Sequence, residues 1–200
     1  MLEPIAKSIK EFWFGDITDD QASPEFSSRW FKKDAKFDKL IEQKFSEYLD
    51  IAFMGALDRW TLDKESFACL IILLDQFPRN IFRNSYKAFH FDKKALTLSL
   101  EAIKSKVYLE LPTPMAYFMI MPTMHAESLE AQNLGIEAFS SLLAACPEQS
   151  KEMIKNALSY AEAHRNIIER FGRFPHRNQL LERESSAEEL SFLKEPGSSF

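Results

Sequence analysis

Between Asp63 and Pro78 the chain reads DKESFACLIILLDQFP, and the centre of that stretch, Leu70 to Leu74, is apolar on every side. Asp63 is a good N-cap, and a proline disfavours helix in the residue before it, so a helix is predicted from there to about Phe77, where Pro78 stops it. A helix with one apolar stripe lies on a surface, whereas one that is apolar all round must be enclosed. This segment is therefore expected at the centre of the molecule, with the other elements packed around it.

The remaining sequence supplies helices to do so. Pro4 opens a first helix that Gly15 closes. Residues 16–28 are polar and turn-like, and Ser23-Pro24 starts a short helix near Trp30. Asp34 caps a long helix in which Phe37, Ile41, Phe45, Tyr48 and Ala52 recur at steps of three and four. Asp92 caps a helix carrying Ala95, Leu96, Ser99, Leu100 and Ile103; Thr113-Pro114 begins a short one, and Pro122 ends or kinks it. A further helix is predicted from about His125 to Ala145. Pro147 opens another that reaches Phe171, with Gly172 just beyond it. Ser185, with Glu188 three residues on, reads as a capping box for a last short helix, and the tail 195–200 reads as irregular. There is no strand alternation and no Asn-Gly or Asp-Gly hairpin turn. Five glycines against eighteen phenylalanines leave few tight turns and much core. The expectation is an all-α chain of about seven or eight helices, forming a single helical domain over residues 1–200.

The charge balance narrows the partners. Twenty-five basic against thirty acidic side chains give a net charge of −5, which argues against wholesale binding to nucleic acid or to a membrane. Cys69 and Cys146 lie far apart and make neither a disulfide framework nor a zinc motif, so a reducing compartment fits them. Residues 1–14 have no continuous apolar run and no small-residue cleavage site, unlike a signal peptide. The most apolar stretch, Met115 to Met121, is far short of the roughly 20 residues that span a bilayer. The chain is expected in the cytoplasm, with no membrane and no nucleic-acid partner.

Two helix exits nearly repeat each other. Leu74-Asp75-Gln76-Phe77-Pro78-Arg79-Asn80 ends the enclosed helix, and Phe171-Gly172-Arg173-Phe174-Pro175-His176-Arg177-Asn178 follows another. The plain account is a shared stop signal, in which proline ends the helix, phenylalanine plugs the core and asparagine takes the turn. These segments also carry a resemblance. The strings FWFGD (12–16), RWF (29–31), LLDQFPRNIFR (73–83), HAE (125–127) with Gln132, HRNIIERFGRFPHRN (164–178) and SSF (198–200) resemble a bacterial family known as domain of unknown function 924. The resemblance runs from the first helix to the last residue. It implies the α-α superhelix of tetratricopeptide-like proteins, and it implies no particular reaction or ligand. The chain has no 34-residue period and no W-x-x-L-G-x-x-Y string, so peptide recognition does not follow from that fold.

Polar residues in apolar register mark a candidate site. His164 sits on the face formed by Met153, Ala157, Tyr160, Ile168 and Phe171. On the helix predicted from His125, His125 and Gln132 share the buried face with Leu129, Ile136, Phe139 and Leu143. Asp75 lies on the helix expected to be enclosed, where a carboxylate needs a cation or several donors; Arg79, one turn on, and Arg173 with Arg177 are the nearest candidates. Seven of the nine arginines (Arg79, Arg83, Arg165, Arg170, Arg173, Arg177 and Arg183) lie beside the two Phe-Pro exits, while none of the sixteen lysines falls between Glu65 and Tyr86 or between Asn156 and Leu193. Arginine is preferred where a planar fork must meet a carboxylate or phosphate in a partly buried place. The counter-charge is either internal (Asp75, Glu127, Glu169) or an external anion.

His125-Ala126-Glu127 matches the H-x-E half of a zinc deaminase signature, but the P-C-x-x-C half is absent. Spacing neither supports nor forbids a metal site from His125, Glu127, His164 and His176; no metal and no cofactor is expected. The methionines at 115, 119, 121 and 124 read as packing. Three readings remain. The first is a helical scaffold that binds a small anionic ligand or an acidic chain end in an Arg/His-lined cleft made by Asp75, Arg79, His125, Gln132, His164, Arg173, His176 and Arg177. The second is an enzyme of hydrolase-type acid–base chemistry, with His125 or His164 oriented by Glu127 or Asp75. The third is a purely structural polar network. A closed network with every donor paired favours the third, and a histidine bonded to a buried carboxylate while facing space favours the second.

Overall fold

The computed structural model describes residues 3–198. Ser199 and Phe200, which end the expected irregular tail and the SSF string, lie outside the described residues, as do Met1 and Leu2. In chain order the helices are α1 (Pro4–Phe14), α2 (Pro24–Ser27), α3 (Ala35–Phe53), α4 (Lys64–Ile81), α5 (Asp92–Ser105), α6 (Thr113–Ile120), α7 (Pro122–His125), α8 (Leu129–Ala145), α9 (Lys151–Phe171) and α10 (Ala187–Phe192), with short 3-10 turns between several of them. The fold is all-α.

The enclosed helix is α4. Every residue from Ser66 to Pro78 is buried, Asp75 and Gln76 included. Helix α3 runs antiparallel beside it: Asp38, in the first turn of α3, accepts from Asn80 and Arg83 at the exit of α4. The ring of Phe45 stacks on Phe77 with centroids 4.8 Å apart. Trp13 from α1 and Phe118 from α6 close over the other side, with Trp13 5.6 Å from Phe77 and Trp30 5.0 Å from Phe118. The Trp30 indole N–H, which would be costly to bury alone, donates to the Trp13 carbonyl at 2.8 Å. Enclosing a large apolar side chain in this way contributes about 1.5–3 kcal/mol relative to leaving it in water. Cys69 and Cys146 are buried free thiols. Among the described residues, no helix is long and apolar enough to cross a membrane.

Local signals misplaced several boundaries. Pro78 does not end α4; the helix continues to Ile81, and the Phe82 amide closes it on the Pro78 carbonyl at 2.9 Å. The turn beyond the proline is held by tertiary bonds instead, from Arg79 to Asp92 and from Asn80 to Asp38. Asp92 is the first helical residue of α5 and not its cap; Phe91 takes the cap position. The capping box is Ser186 with Glu189, one residue beyond the expected pair. Pro147 precedes a 3-10 turn, Glu148–Ser150, that leads into α9. A small hairpin also exists where no strand was expected: Ile17–Thr18 pairs with Gln21–Ala22. Its turn residues Asp19 and Asp20 have φ of 49° and 60°, the mirror-image turn that Asn-Gly usually supplies. A short aspartate tolerates that backbone region better than most side chains. Asp20 then anchors the hairpin, accepting from the Thr113 amide and the Ser150 hydroxyl, each at 2.7 Å.

The helix predicted from His125 is two elements. Helix α7 ends at His125, and α8 starts at Leu129 behind Ser128, whose hydroxyl accepts from the Ala131 amide. His125 and Gln132 therefore do not share one helix face. Helix α8 packs antiparallel to α9, with Arg165 reaching Asn133 at 2.8 Å. Helix α8 also approaches α7 so closely that a Cβ on Gly135 would lie 2.0 Å from Thr123 Oγ1.

Candidate functional site

The exit of α4, the end of α7, the start of α5 and the loop after α9 meet around Asp75. Its carboxylate is only 1% exposed and needs donors to stay ionised there. It has three: His125 Nδ1 at 2.7 Å, Gln76 Nε2 at 2.6 Å and Arg79 Nη1 at 3.3 Å. Burial alone would raise its pKa. Arg79 and His125 outweigh that and hold it at about 2, so Asp75 is a carboxylate at neutral pH. Arg79 also donates to the Asp75 backbone carbonyl at 2.7 Å and forks onto Asp92 at 2.8 and 2.9 Å.

An ionised carboxylate only accepts hydrogen bonds, so His125 Nδ1 carries the proton and donates to Asp75. His125 Nε2 is then a lone-pair acceptor. It has no hydrogen bond among the described residues, and 17% of the side chain remains exposed. Burial first, then the positive charge of Arg79, lower the His125 pKa; Asp75 opposes both without reversing them. The imidazole is neutral at pH 7 and holds its basic nitrogen away from the dyad partner.

Arg177 lies next to this pair. Its Nη1 donates to the His125 backbone carbonyl at 3.0 Å, and its guanidinium lies over the rings of Phe174 (4.5 Å) and Phe89 (4.7 Å). The nearest acidic oxygen, on Asp92, is 3.8 Å away. Its Nε is buried with no partner among the described residues. Burial, then repulsion from Arg79, pull its pKa down to about 10. Phe174 connects Arg177 to two further histidines, His164 at 5.7 Å and His176 at 5.5 Å between ring centres. His164 Nδ1 donates to the Tyr160 carbonyl at 2.7 Å. His176 Nδ1 is buried without a partner among the described residues. Burial lowers both histidines, to about 3 for His164 and about 4 for His176, so both are neutral at pH 7.

The structure thus brings together Asp75, Arg79, His125 and Arg177, with His164 and His176 flanking them across Phe174. The other residues singled out by sequence have different work. Glu127 accepts from Arg183 at 2.6 and 2.9 Å and from the Phe174 amide at 2.8 Å, which fixes the loop after α9. Arg173 forks onto Glu189 at 2.6 and 2.8 Å and pins α10; that contact holds the Glu189 pKa at about 2. Gln132 donates to the carbonyls of Met124 and Ala126 at 2.7 and 3.0 Å, the groups exposed by the break between α7 and α8. Asp92 and Gln76 belong to the site and were missed. Asp92 was read as a cap, and a glutamine beside Asp75 gives no signal until its burial is known. Among the described residues, no group of three or more side chains is arranged to hold a metal ion.

Comparison with known proteins agrees with the resemblance noted above and adds no chemistry. No functionally curated protein matches the chain. A solved structure, the protein of unknown function ATU0120 from Agrobacterium tumefaciens, is similar with 34% identity and a TM-score of 0.79, over 95% of this chain and 97% of that one. A family model described as bacterial protein of unknown function (DUF924) matches residues 9–197. Spanning nearly the whole helical array and both Phe-Pro exits, that match shows that the chain belongs to this family.

Proposed function

We propose that the protein binds a small anion, a molecule bearing a carboxylate or phosphate, against Arg177, with His125 and His176 beside it. The observation that carries this reading is the unequal treatment of the arginines. Arg79, Arg83, Arg165, Arg173 and Arg183 each fork onto a single carboxylate, and Arg170 reaches Glu188. Arg177 is the most buried of the seven, with 9% of its side chain exposed, and has no carboxylate within hydrogen-bond distance among the described residues. A guanidinium stripped of water, with its Nε unbonded and its nearest carboxylate at 3.8 Å, is costly. An incoming oxyanion would supply the acceptor that the chain withholds. In this reading Arg79 does not touch the ligand; it holds Asp75 and Asp92 in place. The two antiparallel pairs, α3 with α4 and α8 with α9, support a superhelical scaffold around the site. The free thiols support a cytoplasmic setting.

Thermal unfolding in rising inorganic phosphate tests the reading. A ligand that binds only the folded state stabilises it by mass action, by about 2.7 kcal/mol at a hundredfold excess over Kd. Phosphate also strengthens folds generally, so the comparison is with Arg177→Lys, which shares that general effect but cannot reproduce the planar fork. A larger rise in the wild type than in the variant is expected. Equal responses, together with a clear loss of stability in Arg177→Met, would leave the cluster as a helix-packing network.

A further inference from the structure

We propose that the anion site is proton-coupled: His125 Nε2 takes up one proton as the anion binds and gives it back on release. This rests on the anion-binding reading above and goes further, because it assigns the acid–base atom of the site and the charge state of its occupied form.

The fixed charges around the site are Asp75, Asp92 and Glu127 against Arg79, Arg177 and Arg183, which balance. The three histidines nearby contribute nothing while neutral. An anion that settles on Arg177 therefore leaves an uncompensated negative charge in a place with little water, which is unfavourable unless a proton comes with it. The proton needs a basic atom close to the ligand and a means of stabilising the resulting cation. His125 offers both. Its Nε2 has no partner among the described residues and remains reachable, its backbone carbonyl is the acceptor for Arg177 Nη1, and its Nδ1–H already points at the buried Asp75 carboxylate. On protonation Nε2 gains a hydrogen, Nδ1 keeps its own, and the imidazolium lies between Asp75 and the anion.

The surroundings set the direction of the response. On α4, Arg79 repels a proton on His125 and Asp75 attracts it; on α5, Asp92 attracts it. Arg177 from the loop after α9 adds repulsion that a bound anion would cancel. The remaining histidines are worse acceptors. His164 is more deeply buried and feels the positive charge of Arg177, while His176 has no carboxylate bonded to its ring. The ligands favoured by this chemistry are small oxyanions that arrive with a proton available, whether inorganic or carried on a larger molecule through a terminal phosphate or carboxylate.

The test uses the whole protein and sulfate, whose charge is fixed across neutral pH, so any proton taken up belongs to the protein. Titration calorimetry is run near pH 7.5 in two buffers of different ionisation enthalpy. The difference in heats should report close to one proton absorbed per sulfate bound, by linkage. In His125→Gln the sulfate should still bind, several-fold more weakly, with the proton number near zero. Nitrogen NMR of the wild type should show one histidine passing from the Nδ1–H tautomer to imidazolium as sulfate is added, and that signal should be missing in His125→Gln. Binding without proton uptake, or uptake that survives in His125→Gln, overturns the coupling while leaving the anion site standing. No binding, or binding indifferent to Arg177→Lys, overturns both.

Discussion

The two Phe-Pro exits share a sequence and diverge in structure, and one residue accounts for much of the divergence. Aligned on the Phe-Pro pair, Gly172 stands where Asp75 stands, and His176 is one extra residue. At the first exit the chain stays helical through Asp75 and Pro78 to Ile81. At the second, Gly172 turns left-handed at φ 69°, and the helix ends before the phenylalanine arrives. Both phenylalanines are fully enclosed, and both asparagines are buried. The arginines differ in consequence: Arg79 has a carboxylate one turn behind it and another across on α5, whereas Arg177 has lost its local carboxylate to a glycine. The same stop signal yields a closed ion-pair network at one exit and, at the other, a guanidinium with no carboxylate in hydrogen-bond contact among the described residues.

Substitutions can break that contrast. The largest effect is expected from Arg79→Met, which takes the cation from the buried Asp75 and from Asp92 and should cost about 3–5 kcal/mol in denaturant unfolding; Asp75→Ala leaves Arg79 on Asp92 but takes the acceptor from Gln76 and His125 Nδ1, and should cost about 1–3 kcal/mol. Arg177→Met strands no carboxylate and should change stability by less than about 1 kcal/mol. Similar losses at both arginines would erase the distinction between the exits.

Acid should act on the second exit first. His164 and His176 have folded-state pKa values of about 3 and about 4, below the ordinary histidine value. From about pH 6.5 downward the unfolded chain therefore binds protons that the folded chain refuses, and stability falls by about 1.4 kcal/mol per pH unit for each of the two. Asp75 behaves in the usual carboxylate sense: its contribution is complete above its unfolded pKa and disappears as pH falls toward its folded value of about 2. Hydrogen exchange at pH 5 should accelerate around residues 171–178 before residues 74–80. A smaller effect than that of Arg79→Met is expected from Gly172→Ala. It meets no neighbour within 4 Å and should cost about 1–2 kcal/mol, from backbone strain alone. A loss below about 0.5 kcal/mol would mean that the loop relaxes and that the glycine does not fix the exit.

Much of this was readable from patterns that are local and periodic. The enclosure of α4, the caps at Asp34 and Asp63, the left-handed Gly172 and the need of Asp75 for a cation all follow from one helix turn or one helix face. What sequence could not supply was the choice between a local role and a distant one for the same side chain. Asp92 fits a cap by every local criterion, yet its oxygens meet the Arg79 fork across the core. The apolar register runs unbroken through His125 and Gln132, so nothing local marked the chain break that Ser128 caps and Gln132 bridges. Pro78 is tolerated because Arg79 and Asn80 find partners on other helices, a fact that no window around the proline contains.

The close approach of Gly135 to Thr123 has a consequence for the dyad, best seen as a matter of mechanical fit. Helix α8 rests on α7 with no spacer, and His125 closes α7 two residues beyond the point of contact. The bond from His125 to Asp75 works at 2.7 Å and weakens within a few tenths of an ångström of lengthening. A methyl group on residue 135 would act as a shim of more than an ångström, tilting α7 and lifting the imidazole off its carboxylate. The alignment of the acid–base pair is therefore gauged by a side chain that is absent, on a helix that makes no hydrogen bond to either of its members among the described residues.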